Sequence, residues 1–227
     1  MAPTGTLERI VATGIVPVVR AGAPEEAAAV IEAICAGGID VIELTMTVPG
    51  AVELIGALSR RFSDDVVLGA GTVLDAETAR ACTLAGARFV VSPIVDEPVM
   101  ACCRTYGIPA MAGALTPTEV VRAWRAGSAM VKVFPCSAVG GPSYLKALKA
   151  PLPQIDLLPT GGVSLANVGD FIQAGASAVG AGADLVDVER IRAGDPATVT
   201  EKARQYVQAV ARARAGLSPA AKAPNRS

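Results

Sequence analysis

Lys132 interrupts an otherwise apolar stretch, Ala129-Met130-Val131-Lys132-Val133-Phe134-Pro135. Side chains alternate along a strand, so Met130, Lys132 and Phe134 share one face while Val131 and Val133 share the other. Both faces are apolar, the pattern of a strand in a parallel sheet covered by helices. Burial disfavours an ammonium, and the neutral amine it favours is a nucleophile able to form a Schiff base with a ketone. A lysine that snorkels from a strand end, or that pairs with a carboxylate, gives the same pattern without chemistry.

Amine chemistry needs a proton carrier, and the chain contains no histidine. That removes the commonest general base and the commonest metal ligand, and with them a zinc-dependent aldolase or a Ser-His-Asp hydrolase. The carboxylate in phase for the task is Glu43, which alternation puts on the same face as Val41 and Thr45 in Val41-Ile42-Glu43-Leu44-Thr45. Arg20 closes an earlier apolar run, and glycine-rich ends follow three others: Gly69-Ala70-Gly71-Thr72, Thr160-Gly161-Gly162 and Gly180-Ala181-Gly182. Separately, Arg20 reads as a surface cap, Glu43 as a counter-ion and the glycines as ordinary junctions. Together they fit a keto-acid lyase. Lys132 adds to the ketone, and the iminium is the electron sink for cleavage of the neighbouring carbon–carbon bond. Glu43 moves the protons, Arg20 and Thr72 hold a carboxylate, and the late glycine turns offer backbone N–H groups to a phosphate.

Positioning such a set requires strands that end on one rim. Short β-like runs near 15–20, 40–46, 66–71, 88–92, 109–113, 129–134, 155–160 and 177–181 alternate with Ala-rich helical stretches. The helices fall near 24–36, 50–61, 76–85, 96–106, 117–126, 142–149 and 165–174, with further ones near 5–12 and 198–214. Several close on Ala-Gly, a C-cap signal. The alternation predicts an α/β fold, a single (β/α)8 TIM barrel with an extra N-terminal helix, whose chemistry lies at the C-terminal strand ends. An open doubly wound sheet is the alternative, but no G-x-G-x-x-G follows the first strand. Residues 1–215 are expected to form one domain and 216–227 a flexible tail.

The 227 residues are 52% hydrophobic and 18% charged, enough apolar material for a large core. A net charge of −1 without a basic run gives no reason to expect nucleic acid. No apolar run is long enough to span a bilayer and no secretory signal is apparent, so no membrane association is expected. The five cysteines have no zinc-site spacing, and a cytoplasmic location fits them. No metal and no other cofactor is expected.

The segments Ile15-Val16-Pro17-Val18-Val19-Arg20, Ile42-Glu43-Leu44-Thr45, Gly69-Ala70-Gly71-Thr72-Val73, Val91-Ser92-Pro93, Lys132-Val133-Phe134-Pro135 and Pro159-Thr160-Gly161-Gly162-Val163 resemble, in order and spacing, one known family. It is the class I 2-keto-3-deoxy-6-phosphogluconate (KDPG)/4-hydroxy-2-oxoglutarate (KHG) aldolases, over about residues 7–215. The resemblance implies that Lys132 is the Schiff-base lysine and Glu43 the general acid/base. It implies that Arg20 and Thr72 contact the substrate's anionic and polar groups, that Pro93 and Phe134 line the pocket, and that the barrel assembles as a homotrimer. Some members carry arginine at the position of Thr47 and others threonine, so Thr47 joins the substrate-binding set. Thr160, Gly161, Gly162 and Gly182 complete it. Members usually have serine where this chain has Ala183, a missing phosphate ligand that would cost on the order of 1.5–3 kcal/mol. The substrate implied is KDPG or its galactonate epimer, cleaved to pyruvate and glyceraldehyde 3-phosphate. KHG, cleaved to pyruvate and glyoxylate, needs no phosphate site. A non-catalytic sugar-acid-binding or assembly barrel would have no reason to bury a reactive amine, and a phosphate-binding isomerase would not call for Lys132.

Overall fold

The computed structural model describes residues 5–217. Helix α1 (Thr6–Thr13) leads into β1 (Ile15–Val19), and strands and helices then alternate. They run α2 (Pro24–Ala36), β2 (Val41–Thr45), α3 (Ala51–Phe62), β3 (Val67–Gly71), α4 (Ala76–Ala85), β4 (Val90–Val91) and α5 (Glu97–Thr105). There follow β5 (Ala110–Met111), β6 (Gly113–Ala114), α6 (Pro117–Arg125), β7 (Val131–Val133), α7 (Pro142–Lys149), β8 (Leu157–Pro159), α8 (Val168–Gln173) and β9 (Val179–Ala181). Helices α9 (Val188–Arg192) and α10 (Pro196–Ala215) close the described chain.

Every recorded strand pairing is parallel, in the orders β5-β4-β3-β2-β1-β9 and β6-β7-β8. The result is an α/β fold with a curled parallel sheet. The two sheets approach each other twice. β5 and β6 are one predicted strand split at Ala112, whose N–H goes to the buried Ser128 hydroxyl at 2.9 Å instead of to a neighbouring strand. At the other seam a single bridge joins Thr160 and Gly180. Only glycine fits there, since a Cβ at 180 would stand 2.2 Å from Thr160 Oγ1.

Alternation sorts the apolar residues into two cores. One lies between strands and helices and takes Ile42, Leu44, Leu68, Val131, Val133 and their helical partners. The other gathers Val16, Val41, Val67, Phe89, Val91, Met111, Met130 and Leu158, with Ile10 of α1 added to it. Lys132 and Glu43 share the inward phase of this second core, two residues along from Met130 and Val41 respectively.

Three local features depart from the sequence reading. The helix expected from 165 begins only at Val168, because Asn167 accepts the Ser164 N–H and donates to Gly162 O, while the Leu165 N–H is taken by Asp184. Helix α9 and a 3-10 turn over Cys136–Val139 had no periodic signal, being five and four residues long. Of the expected tail, Gly216 and Leu217 still bond back onto the end of α10, and residues 218–227 lie outside those described.

Candidate active site

β2 and β7 are neighbours in neither sheet. Even so, Lys132 Nζ lies 3.5 Å from Glu43 Oε1, so the contact crosses the interior. Both residues are buried, Lys132 at 2% exposure and Glu43 at 1%. At this distance the contact is not a hydrogen bond, and Glu43 Oε1 has no hydrogen-bond partner. A buried carboxylate oxygen without a donor is costly and uncommon. The Phe134 ring centroid lies 5.4 Å from Lys132 Nζ, within cation–π range.

Room for Glu43 comes from a glycine on the facing strand β3, and a glycine on β6 makes room for the Pro93 backbone. A Cβ at Gly71 would come within 2.1 Å of Glu43 Oε1, and one at Gly113 within 2.1 Å of the Pro93 carbonyl. Gly113 is the β6 residue opposite Lys132, and Gly69 is the β3 residue opposite Glu43. The sequence reading had Gly71 only as a glycine at a strand end, an ordinary junction. Its place inside β3 makes it a steric partner of Glu43. Its in-phase spacing with Gly69 was the available signal.

The expected substrate contacts divide into two groups. Around the pair, Thr72 and Phe134 are half-buried, and Thr72 follows Gly71 with φ 58°. A left-handed backbone is rare for a β-branched residue and is found most often at functional sites. Pro93 and Phe134 line a cavity of about 290 Å³ that also reaches Gly113 and Ala114, beside the pair and not including it. Arg20 is exposed at the end of β1 and makes no ion pair or hydrogen bond among the described residues. Thr47 is exposed, and its hydroxyl lies 2.7 Å from that of Thr45. Thr45 was not singled out by the sequence. It is fully buried and donates to Val19 O at 2.9 Å, tying the ends of β1 and β2 together.

The second group sits at the ends of β8 and β9. Thr160 is buried in the seam against Gly180, whereas Gly161 and Gly162 both take positive φ, 93° and 73°. Around Gly182 a Cβ would meet nothing within 4 Å, so the turn is open. Among the described residues, the backbone N–H groups of Gly162, Val163 and Ala183 have no protein acceptor.

Other lysines have structural employment or stand outside. Lys149 donates to Pro153 O and Ile155 O, and burial pushes its ammonium's pKa down despite Asp156. Lys202 pairs with Asp184, and Lys146 is exposed on α7. A larger concavity, about 810 Å³ between α5 and α6, holds neither Lys132 nor Glu43. No described helix is long and apolar enough to cross a membrane.

The model of a protein family described as KDPG and KHG aldolase matches residues 7–202. The chain belongs to that family. Members of the family that it resembles include a 2-dehydro-3-deoxy-phosphogluconate aldolase of Treponema pallidum (strain Nichols), 37% identical over 204 residues. The match covers 90% of this chain and 95% of that protein. A 2-dehydro-3-deoxy-6-phosphogalactonate aldolase of Escherichia coli (strain K12) is 36% identical over 172 residues, 75% of this chain and 83% of the relative. Among solved structures, a KDPG aldolase of Legionella pneumophila, with pyruvate captured as a covalent carbinolamine, superposes with TM-score 0.81 at 30% identity. It covers 88% of this chain and 97% of its own. Membership makes this chain an aldolase, a carbon–carbon lyase.

Proposed function

We propose that Lys132 is the Schiff-base nucleophile and Glu43 the proton carrier of a class I aldolase that cleaves KDPG or its galactonate epimer to pyruvate and glyceraldehyde 3-phosphate. The observation that carries this reading is the sealed Lys132–Glu43 contact with its unpartnered carboxylate oxygen. Desolvation offsets most of the attraction in a buried ion pair, so stability alone is a poor reason to keep one. Chemistry is a better reason.

Glu43 takes a proton from the Lys132 ammonium, the freed amine attacks C2 of the keto acid to give a carbinolamine, and Glu43 returns that proton to the C2 hydroxyl, which leaves as water to give the iminium. Glu43, now a carboxylate, takes the proton of the C4 hydroxyl as the C3–C4 bond breaks. The bonding electrons pass into the iminium, the aldehyde departs, and the enamine left on Lys132 is protonated at C3 and hydrolysed to pyruvate. Only the protein's own amine and carboxyl are used, so no metal is assigned. Arg20, Thr47 and Thr72 are assigned to the keto acid's carboxylate and hydroxyls, with Pro93 and Phe134 as walls. Thr160, Gly161, Gly162 and Gly182 are assigned to the phosphate end, the usual barrel position.

The same reading takes the curled sheet as a (β/α)8 barrel with α1 as the extra helix. It is supported by the β1–β9 pairing and the β5–β6 continuity. Residues 1–215 are taken as one domain, a homotrimer is assigned from the family resemblance, and a cytoplasmic location from the cysteine pattern. Small keto acids are its partners, with no role assigned to nucleic acid or membrane. A second reading, cleavage of KHG, is favoured by one observation: Ala183 brings no hydroxyl to the open turn at Gly182.

The test is to mix the protein with pyruvate and borohydride and map the adduct by peptide mass. The label is expected on Lys132 and absent in Lys132→Ala. Labelling of Lys146 or Lys149 instead overturns the assignment.

A further inference from the structure

Asp184 lies one residue beyond Ala183, on the turn that follows β9. Its carboxylate draws three donors from two other parts of the chain. Oδ2 accepts the Leu165 backbone N–H at 3.1 Å and the Tyr206 hydroxyl at 2.6 Å, and Oδ1 accepts from Lys202 Nζ at 3.2 Å. Leu165 belongs to the turn after β8, three residues past Gly162, whereas Lys202 and Tyr206 are on α10. We propose that Asp184 is a positioning residue for the anion-binding turns: it ties the turn after β9 to the turn after β8 and anchors both on α10. The proposal rests on the phosphate reading given above and names what holds that site in shape.

The chemistry of the strut favours permanence. Burial alone would raise the Asp184 pKa, but the donors from Tyr206, Leu165 and Lys202 outweigh it and hold the carboxyl below the ordinary aspartate range. Tyr206 is fully buried, and burial together with Asp184 pushes its phenol far above the ordinary tyrosine value. The donor therefore stays protonated wherever the acceptor is ionised. A second brace works inside the β8 turn, where Asn167 accepts the Ser164 N–H at 2.8 Å and donates to Gly162 O at 2.9 Å. In the β9 turn, the Leu185 and Val186 N–H groups both bond to Gly182 O, at 3.0 and 2.9 Å.

Between these fixed points the Gly162, Val163 and Ala183 N–H groups have no protein acceptor. Backbone donors bind an anion well only when they are already in place, because any ordering required on binding subtracts from affinity. A chain without a hydroxyl at 183 has no side chain there to follow the phosphate. It depends more heavily on where its N–H groups are held. Without the Asp184 carboxylate, the Leu165 N–H and the Tyr206 hydroxyl lose their acceptor together, and the two turns are free to separate.

The experiment compares steady-state kinetics for a phosphorylated keto acid and its unphosphorylated counterpart. In Asp184→Ala, KM for the phosphorylated acid should rise ~10-fold, as expected for a weakened set of bonds to a charged group. Turnover, KM for the unphosphorylated acid and pyruvate trapping on Lys132 should each change less than about twofold, since the strut does not reach the amine. Asp184→Asn keeps an acceptor and should recover most of the phosphate preference, with Tyr206→Phe shifted less, in the same direction as the alanine variant. Equal losses on both substrates would reduce Asp184 to fold support, and an unchanged preference would remove the strut while leaving the phosphate reading intact. If the wild type itself has no preference, the phosphate reading falls and takes the strut with it. Should Asp184→Ala not fold, Tyr206→Phe decides: an unshifted preference there overturns the proposal.

Discussion

The two ends of the site are built on different principles. Beside Glu43 the space is taken up, with Gly71 leaving room that no Cβ can share and Gly113 doing the same for the Pro93 backbone. Lys132 and Glu43 are themselves buried, on strands packed on both faces. At the ends of β8 and β9 the donors are backbone N–H groups on turns, Gly182 faces open space, and order depends on side chains such as Asp184 and Asn167 braced from behind. On the proposed function, the chemical end should be sensitive to added volume and the anion end to backbone position.

The largest expected effect lies at the chemical end. Glu43→Gln keeps the shape and removes the proton carrier, so turnover should fall by about 10²–10⁴-fold with folding intact. Near-normal turnover, measured by coupled pyruvate release, would reduce Glu43 to a counter-ion and erase the contrast between the two ends. Gly71→Ala tests the volume argument without replacing a reacting group. Its Cβ would displace the Glu43 carboxylate, and a misplacement of that kind should cost on the order of 10²-fold in kcat. A fully active Gly71→Ala enzyme would show that the carboxylate has slack.

Substitutions at the anion end should be milder and should fall on binding. Ala183→Ser restores a hydroxyl on the open turn and should raise kcat/KM for the phosphorylated acid by ~10-fold, with no gain for the unphosphorylated one. An equal gain on both would place the added hydroxyl elsewhere on the substrate. No wild-type preference at all would favour the KHG reaction.

The smallest effect is on stability against pH. The folded-state pKa of Asp184 is depressed, so its contribution is complete above the ordinary aspartate range and is lost as pH falls through the lower folded value. Urea midpoints of the wild type and Asp184→Asn should therefore differ most near neutrality and converge only in acid, below the ordinary aspartate range. A gap that widens in acid would reverse the assigned sign.

Much of this was legible in the sequence, because periodicity is local. Alternation alone gave Lys132 and Glu43 their inward phase, and all eight predicted runs contain strand residues. The Ala-Gly signals fell where helices end, as at Gly86 with φ 112° and Gly127 with φ 89°. Short pieces escaped for a physical reason: α9 and the Cys136–Val139 turn are too short to show a period. The split of the fifth strand escaped because it depends on a hydroxyl sixteen residues away, Ser128 on the Ala112 N–H.

The sequence by itself determined which residue types were available: one amine in a core strand, one carboxylate in phase with the interior, no imidazole, and glycines at strand ends. Those follow from composition and a period of two, which need no distant contact. Only the tertiary structure decided that β2 and β7, apart in the sheet order, bring a carboxylate and an amine to 3.5 Å. It also decided that Gly71 makes room for Glu43, and that Asp184, which had no local signal, links two turns to α10. Each depends on the curvature of the sheet, which brings together residues far apart in sequence, and no local pattern encodes that distance.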